Sequence, residues 1–278
     1  MDEERIAFLE GQARGARKHV IKSIAGVGAG HIGGSLSIVD LLTVLYYEVM
    51  NIDPANPQME GRDRLGLSKG HAGPGLYAIL AMKGYFPEEW LYTLNEPDTR
   101  MPSHCDMVLT PGIDMTAGSL GQGICCAVGM AIGAKIKGGK EYIYAIIGDG
   151  ESQEGSVWEA SMSAVHFKLD NLIVFLDHNG MQVDGMVEDI MALGDPMEKW
   201  KAFGFNMFRA DGHDMDAIKD TILAAQAAGN GKPSMIVLDT VKGKGAQMFE
   251  EMGFTNHNFV FTEDLQKQVT EDVDKVVN

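Results

Sequence analysis

Asp149 sits between Gly148 and Gly150, and Asn179 stands thirty residues further on, just before Gly180. Each follows a short apolar run, Tyr142 to Ile147 and Leu172 to Leu176, rich in β-branched and aromatic residues and too short for a helix. Between the runs, Val157, Ala160, Ser161, Ala164, Val165 and Leu169 fall on one face of a helix. Strand, helix and strand in succession predict a right-handed βαβ unit with parallel, neighbouring strands. The loops after both strands then emerge at one sheet edge, where open α/β sheets bind their ligands. A carboxylate and an amide carbonyl converging there are hard oxygen ligands, suited to Mg²⁺ or Ca²⁺ rather than zinc. Gly148 and Gly150 let the backbone approach a ligand closely, and the N–H groups opening the next helix favour an anion. The simplest ligand is a magnesium-bound diphosphate, although two ordinary polar loop ends would carry the same residues.

Of the eight histidines, His31, His71, His104 and His257 lie in glycine-rich, proline-containing or irregular stretches away from apolar faces. An imidazole near neutral pH can move protons and bind phosphate. His19 and His166 fall within helical patterns and read as structural or surface residues, and His178 beside the metal loop is left open. Spacing such as H-E-x-x-H is missing, which argues against zinc catalysis. Glu154 opens the helix after Asp149, where a carboxylate also serves as an ordinary N-terminal stabiliser. Lys242 and Lys244 are either positive charge for the site or solvated lysines. The sequence has no Ser-His-Asp grouping, P-loop or nucleophile elbow.

The elements that must position these residues follow from periodicity. An amphipathic helix is predicted over 3–25, with Ile6, Leu9, Ala13, Ala16, Val20 and Ile24 at three- and four-residue steps. Gly28, Gly30 and Gly33 match G-x-G-x-x-G, but a helix precedes them where the dinucleotide fingerprint needs a strand. A loop carrying His31 is the better reading, followed by an apolar helix over about 37–47 and a surface loop over 53–64. The stretch 65–75 places His71 among glycines before a helix near 76–82. Residues 86–110 read as irregular apart from a short helix near 88–94. The glycine cluster of 111–123 opens a helix of small residues, 124–136, expected to be buried. Beyond the central unit come a helix at 197–203, a strand at 206–209, a helix at 215–228 and a strand at 234–240. An acidic helix over about 262–277 closes the chain. The alternation predicts an α/β fold, a doubly wound and mostly parallel sheet with helices on both faces, in one domain spanning 1–278.

With 45% hydrophobic and 22% charged residues, the 278-residue chain is ordinary for a soluble globular protein. The formal charge of −16 argues against nucleic acid or an anionic membrane as partner, so a diphosphate must be held by local charge. The chain is read as having no run long enough to span a membrane and no signal-peptide core. Cys105, Cys125 and Cys126 form neither a metal spacing nor a disulfide framework, which points to a reducing cytoplasm.

Taken together, the motifs resemble transketolases. Gly148-Asp149-Gly150 with Asn179 is similar to the thiamine diphosphate signature. The same family is matched in order by His31-x-Gly33-Gly34-Ser35, Leu67-Ser68-Lys69-Gly70-His71, the run from Pro111 to Gly123, and Thr240-Val-Lys-Gly-Lys-Gly245, so that the likeness runs from about 5 to 260. It covers only the diphosphate-binding half of a full-length transketolase. It therefore implies the N-terminal subunit of a split enzyme, moving a two-carbon ketol unit from a ketose to an aldose, usually as sugar phosphates. It further implies a companion chain that carries the pyrimidine-binding domain with its activating glutamate, in an assembly of two chains of each kind. Asp149, Asn179 and the Met181 carbonyl would bind Mg²⁺, with Ca²⁺ or Mn²⁺ as substitutes. Gly150 would donate a backbone N–H to the diphosphate, beside His71 and His257. Gly118, Leu120, Gly148 and Glu154 would lie near the cofactor, with Glu154 like a carboxylate that bridges subunits. His31 and His104, with His257, would serve the sugar's proton transfers. Asn256-His257-Asn258 departs from the family's Trp-His-Gly-Lys, and Cys105 stands where proline is common. Deoxyxylulose-phosphate synthesis or dihydroxyacetone formation would share the metal motif, but the histidines at 31, 71 and 104 favour ketol transfer; the complete metal motif argues against a non-catalytic binding module that retains the fold.

Overall fold

The computed structural model describes residues 1–183 and 185–277. Its centre is a five-stranded sheet in the order Arg64–Leu67, Ile143–Gly148, Leu172–His178, Ser234–Asp239, Asn206–Asp211, with every pairing parallel. The two strands of the central unit are immediate neighbours, with Ile143 opposite Leu172 and Gly148 opposite Asp177.

Side chains alternate across these strands, so each strand feeds two cores. Tyr144, Ile146, Ile173, Phe175, Ile236 and Leu238 join one cluster with Leu9, Ala13, Ala16, Val20 and Ile24 of the helix Glu3–Val27. Ile143, Ala145, Ile147, Leu172, Val174, Leu176, Met235 and Val237 join the other, under the helices Gln122–Ile136 and Gly155–His166 and the buried Trp200. Each fully buried aliphatic contributes about 1.5–3 kcal/mol, and burial on both faces explains why the strands read as unbroken apolar runs. The expected parallel α/β sheet with helices on both faces is what forms.

Several expectations are corrected. The strand Arg64–Leu67 was not expected, because Gly66 interrupts its apolar pattern, yet it pairs with Ile143–Ile146 along its full length. The adjoining loop over 53–64 is not wholly superficial: Asp63 is buried and accepts hydrogen bonds from the backbone of Asn51 and Tyr142. The apolar helix begins at Ile32 rather than Ser37 and is broken at Ser37–Ile38, where the Ser37 hydroxyl is drawn off to Asp177; it then ends in a π turn, Leu45–Val49. The stretch Ile32–Val49 is in fact long and apolar enough to cross a membrane by length and composition, but 83% of it is buried inside the fold, as in a core helix. The small-residue helix packs through Ile124, Ala127, Val128, Ala131 and Ala134, while Cys125, Cys126 and Gly129 are exposed, so it is not buried all round. The acidic tail helix stops at Glu271 and gives way to a short 3₁₀ turn, Val273–Lys275.

Two short antiparallel ribbons complete the frame. Ala29–Gly30 pairs with Phe259–Val260, which brings the loops of His31 and His257 together across more than two hundred residues of sequence. Met181–Gln182 pairs with Gly185–Met186 beside Asn179.

Candidate active site

The loops at the C-terminal ends of the sheet strands enclose a cavity of about 430 Å³. The residues that the resemblance points to as site residues all line it: His31, His71, His104, Gly118, Leu120, Gly148, Asp149, Gly150, Glu154, Asn179, Met181 and His257. Lys242 lines it as well, whereas Lys244 does not. Glu154 is exposed at the N-cap position of the helix Gly155–His166 without a side-chain capping bond, so it both lines the cavity and stands where a carboxylate favours the helix dipole.

Asp149 and Asn179 occupy one corner. The buried Asp149 carboxylate takes 2.7 Å hydrogen bonds from His178 Nδ1 at Oδ1 and from the Gly180 N–H at Oδ2. The Asp149 carboxylate raises the His178 imidazole above its ordinary value, by hydrogen bond first and by charge second, against the opposing effect of burial. This settles the place of His178, which orients the aspartate from outside the cavity lining. Asn179 donates from Nδ2 to Asp177 at 3.0 Å and accepts the Met181 N–H at Oδ1, 3.1 Å away. Its oxygen and the Asp149 carboxylate are hard donors with lone pairs to spare, a set that fits Mg²⁺ or Ca²⁺. Among the described residues no group of three or more histidine, cysteine or acidic side chains could hold a metal.

Beneath this corner lies a pair that the sequence reading did not weigh. Lys69 and Asp177, each 2% exposed or less, form a 2.5 Å ion pair. Asp177 also accepts from Ser37 at 2.8 Å, from Thr240 at 2.5 Å and from Asn179. Burial alone would raise its carboxyl, but the Lys69 charge and these hydrogen bonds outweigh that and hold it below the usual carboxylate range. Glu151 was missed too. Buried, it accepts from the Ser68 hydroxyl and from the N–H groups of Gly121 at 2.9 Å and Gly148 at 3.3 Å, and so ties three site loops together. Burial pushes its carboxyl up.

The four loop histidines form one cluster. Ring centroids lie 5.3 Å apart for His31 and His71, 5.6 Å for His31 and His104, 5.3 Å for His31 and His257, and 5.0 Å for His71 and His257. Lys242 Nζ is 3.0 Å from His257 Nδ1. Burial, reinforced by neighbouring positive charge, lowers His31 and drives His71 well down, and it pushes His257 down to about 3. Burial alone lowers His104. At neutral pH these imidazoles are therefore uncharged, each keeping a ring nitrogen lone pair that can accept a hydrogen bond. Burial first, and then the Lys69 charge, depress the Lys242 ammonium to about 8. Close approach has a geometric condition at Gly33, where an added Cβ would meet Asn256 Oδ1 at 1.8 Å. Buried Asn256 bonds the Lys242 and Phe249 carbonyls, which anchors the turn leading to His257 despite its departure from Trp-His-Gly-Lys.

The family model "Transketolase, thiamine diphosphate binding domain" matches residues 11–270. The chain belongs to the transketolase family. Among its relatives, the 6-deoxy-6-sulfo-D-fructose transketolase subunit of a Clostridium species is 51% identical over 275 residues, covering 99% of both chains. An apulose-4-phosphate transketolase subunit of Actinobacillus succinogenes is 42% identical over 244 residues and 87% of each chain. Among solved structures, transketolase from Leishmania mexicana superposes with a TM-score of 0.86 at 30% identity, covering 95% of this chain but only 41% of that one. This transketolase chain thus spans about two-fifths of a full-length relative, yet nearly all of a relative named as a subunit.

Proposed function

We propose that this chain is the thiamine diphosphate-binding subunit of a two-chain transketolase that moves a two-carbon ketol unit from a ketose to an aldose. The observation that carries this is the convergence of loops from residue 31 to residue 257 on one cavity holding an oxygen-donor corner, a basic floor and four uncharged histidines. When bound, thiamine diphosphate supplies the nucleophilic carbanion and the electron sink for the two-carbon unit. Asp149, Asn179 and the Met181 carbonyl hold Mg²⁺, which neutralises the diphosphate. Gly150 donates its N–H to the diphosphate, with His71, His257 and the Lys242 ammonium around it and Gly118, Leu120 and Gly148 beside the cofactor. His31 and His104 accept and return protons at the sugar's first hydroxyls, a role that suits their uncharged state.

The name "subunit" on relatives of equal length supports a companion chain, which we take to bring the pyrimidine-binding domain and to meet this one near Glu154, with two copies of each. The relative at 51% identity makes 6-deoxy-6-sulfofructose the first donor to test, ahead of apulose 4-phosphate and the pentose and hexose phosphates. The test is to combine the chain with its companion, thiamine diphosphate and Mg²⁺ and to assay ketol transfer from each ketose to an aldose phosphate. Transfer by the pair and none by the single chain is expected. Full transfer by the single chain would overturn the two-chain reading, and no transfer from any ketose would overturn the activity.

A further inference from the structure

The motif Asp211-Gly212-His213-Asp214 and two buried charges, Arg17 and Asp40, have no part in the cavity lining. They nevertheless meet in one network. Asp40, 4% exposed, accepts from Arg17 Nη2 at 2.6 Å and from His213 Nδ1 at 2.7 Å, both at Oδ2. The far side of each partner grips the same loop. His213 Nε2 accepts the Val241 N–H at 2.8 Å, and Arg17 Nε donates to the Lys244 carbonyl at 2.9 Å. Because Nε2 accepts, the proton of a neutral His213 sits on Nδ1 and is donated to Asp40, so a single tautomer satisfies both bonds. The two grips flank Lys242, whose side chain crosses to the cavity and reaches His257.

We propose that Asp40 is a positioning residue for the cofactor site, clamping the loop backbone on either side of Lys242 through His213 and Arg17 and so fixing the ammonium that faces the diphosphate. A buried ion pair is a poor source of net stability. Two charged groups and an imidazole devoted to two backbone atoms are better explained by the placement of the residue between them. A lysine is otherwise a flexible point charge. Held from behind, it meets the anion without first losing that freedom. The proposal rests on the reading of the cavity as a diphosphate site.

The experiment uses the full chain with its companion and measures thiamine diphosphate affinity in the presence of Mg²⁺. His213→Asn keeps an amide donor for Asp40 and removes only the acceptor for Val241, while Arg17→Lys keeps the charge and removes the grip on Lys244. Each is expected to weaken cofactor affinity about tenfold, as loss of a group that orients a ligand does elsewhere, with turnover at saturating cofactor within about twofold of wild type. In a Lys242→Met background the same changes should add less than about twofold, because a clamp has no further effect once the clamped group is gone. Unchanged affinity in both single variants overturns the clamp. So does an equal loss with and without Lys242, which would mark a merely structural role. Should His213→Asn fail to fold, Arg17→Lys and its Lys242→Met double are read in the same way. Failure of the wild-type protein to bind the cofactor would instead overturn the diphosphate reading itself.

Discussion

Asp149 and Asp177 stand almost side by side at the ends of adjacent strands, Asp177 opposite Gly148, and both carboxylates are buried. Their surroundings differ. Asp177 is saturated, with the Lys69 ammonium, two hydroxyls and an amide all donating to it. Among the described residues Asp149 receives two hydrogen bonds, from an imidazole and a backbone N–H, although both carboxylates line the cavity. A carboxylate whose lone pairs are consumed by the fold is an anchor. One with capacity to spare, aimed at a cavity beside an amide oxygen, is a ligand in waiting. The pair therefore separates holding the site together from holding what enters it.

The largest effect should come from breaking the anchor. Asp177→Ala leaves Lys69 buried without its partner, and removal of one member of a buried pair costs about 3–5 kcal/mol. Denaturant unfolding should show that loss, while Asp149→Ala, which removes two ordinary hydrogen bonds, costs about 1–2 kcal/mol. A reversal of that order would break the comparison. In cofactor binding the ranking inverts. Asp149→Ala is expected to weaken Mg²⁺-dependent thiamine diphosphate affinity about a hundredfold or more, since it deletes a charged ligand rather than a group that merely orients one. Affinity unchanged in a titration with and without Mg²⁺ would remove Asp149 from the metal site. His178→Ala sharpens the same contrast, because it keeps the ligand and frees it to turn. Its loss should be nearer tenfold, with little change in stability.

The contrast also shows what the sequence could reveal. Asp149 was legible because glycines flank it at the end of an apolar run, and the histidines because they lie in loops that no core would need. Asp177 reads as part of its strand, since nothing local distinguishes a saturated carboxylate from one merely ending an apolar run. Its four donors come from residues 37, 69, 179 and 240, and only the fold brings them together. Glu151 is hidden for the same reason, as its partners lie near residues 68, 121 and 148. The sheet was legible where a strand reads as an apolar run, and also at the half-exposed strand Asn206–Asp211. It was missed at Arg64–Leu67, an edge strand whose central glycine breaks the pattern and whose neighbour is nearly eighty residues away. Long-range polar partnership, rather than local propensity, is what the sequence conceals.

The smallest predicted effect concerns the other charge at the cavity. Lys242 is depressed to about 8 by burial and by the Lys69 charge, against an ordinary value of 10.5. Between those limits the unfolded chain holds the proton and the folded chain does not, so this group's cost to folding shrinks as pH rises through the window. Anion binding has the opposite dependence. Below about 8 the ammonium is already charged and thiamine diphosphate meets it directly. Above that value a proton must be taken up on binding, so affinity falls by up to about tenfold per pH unit. From pH 7 to 9 a decline of roughly tenfold or less is expected, and the ratio of wild type to Lys242→Met isolates it from ionisation of the cofactor itself. If the ratio stays flat across that range, the lysine does not meet the diphosphate. The charge at this end of the cavity would then serve only the fold.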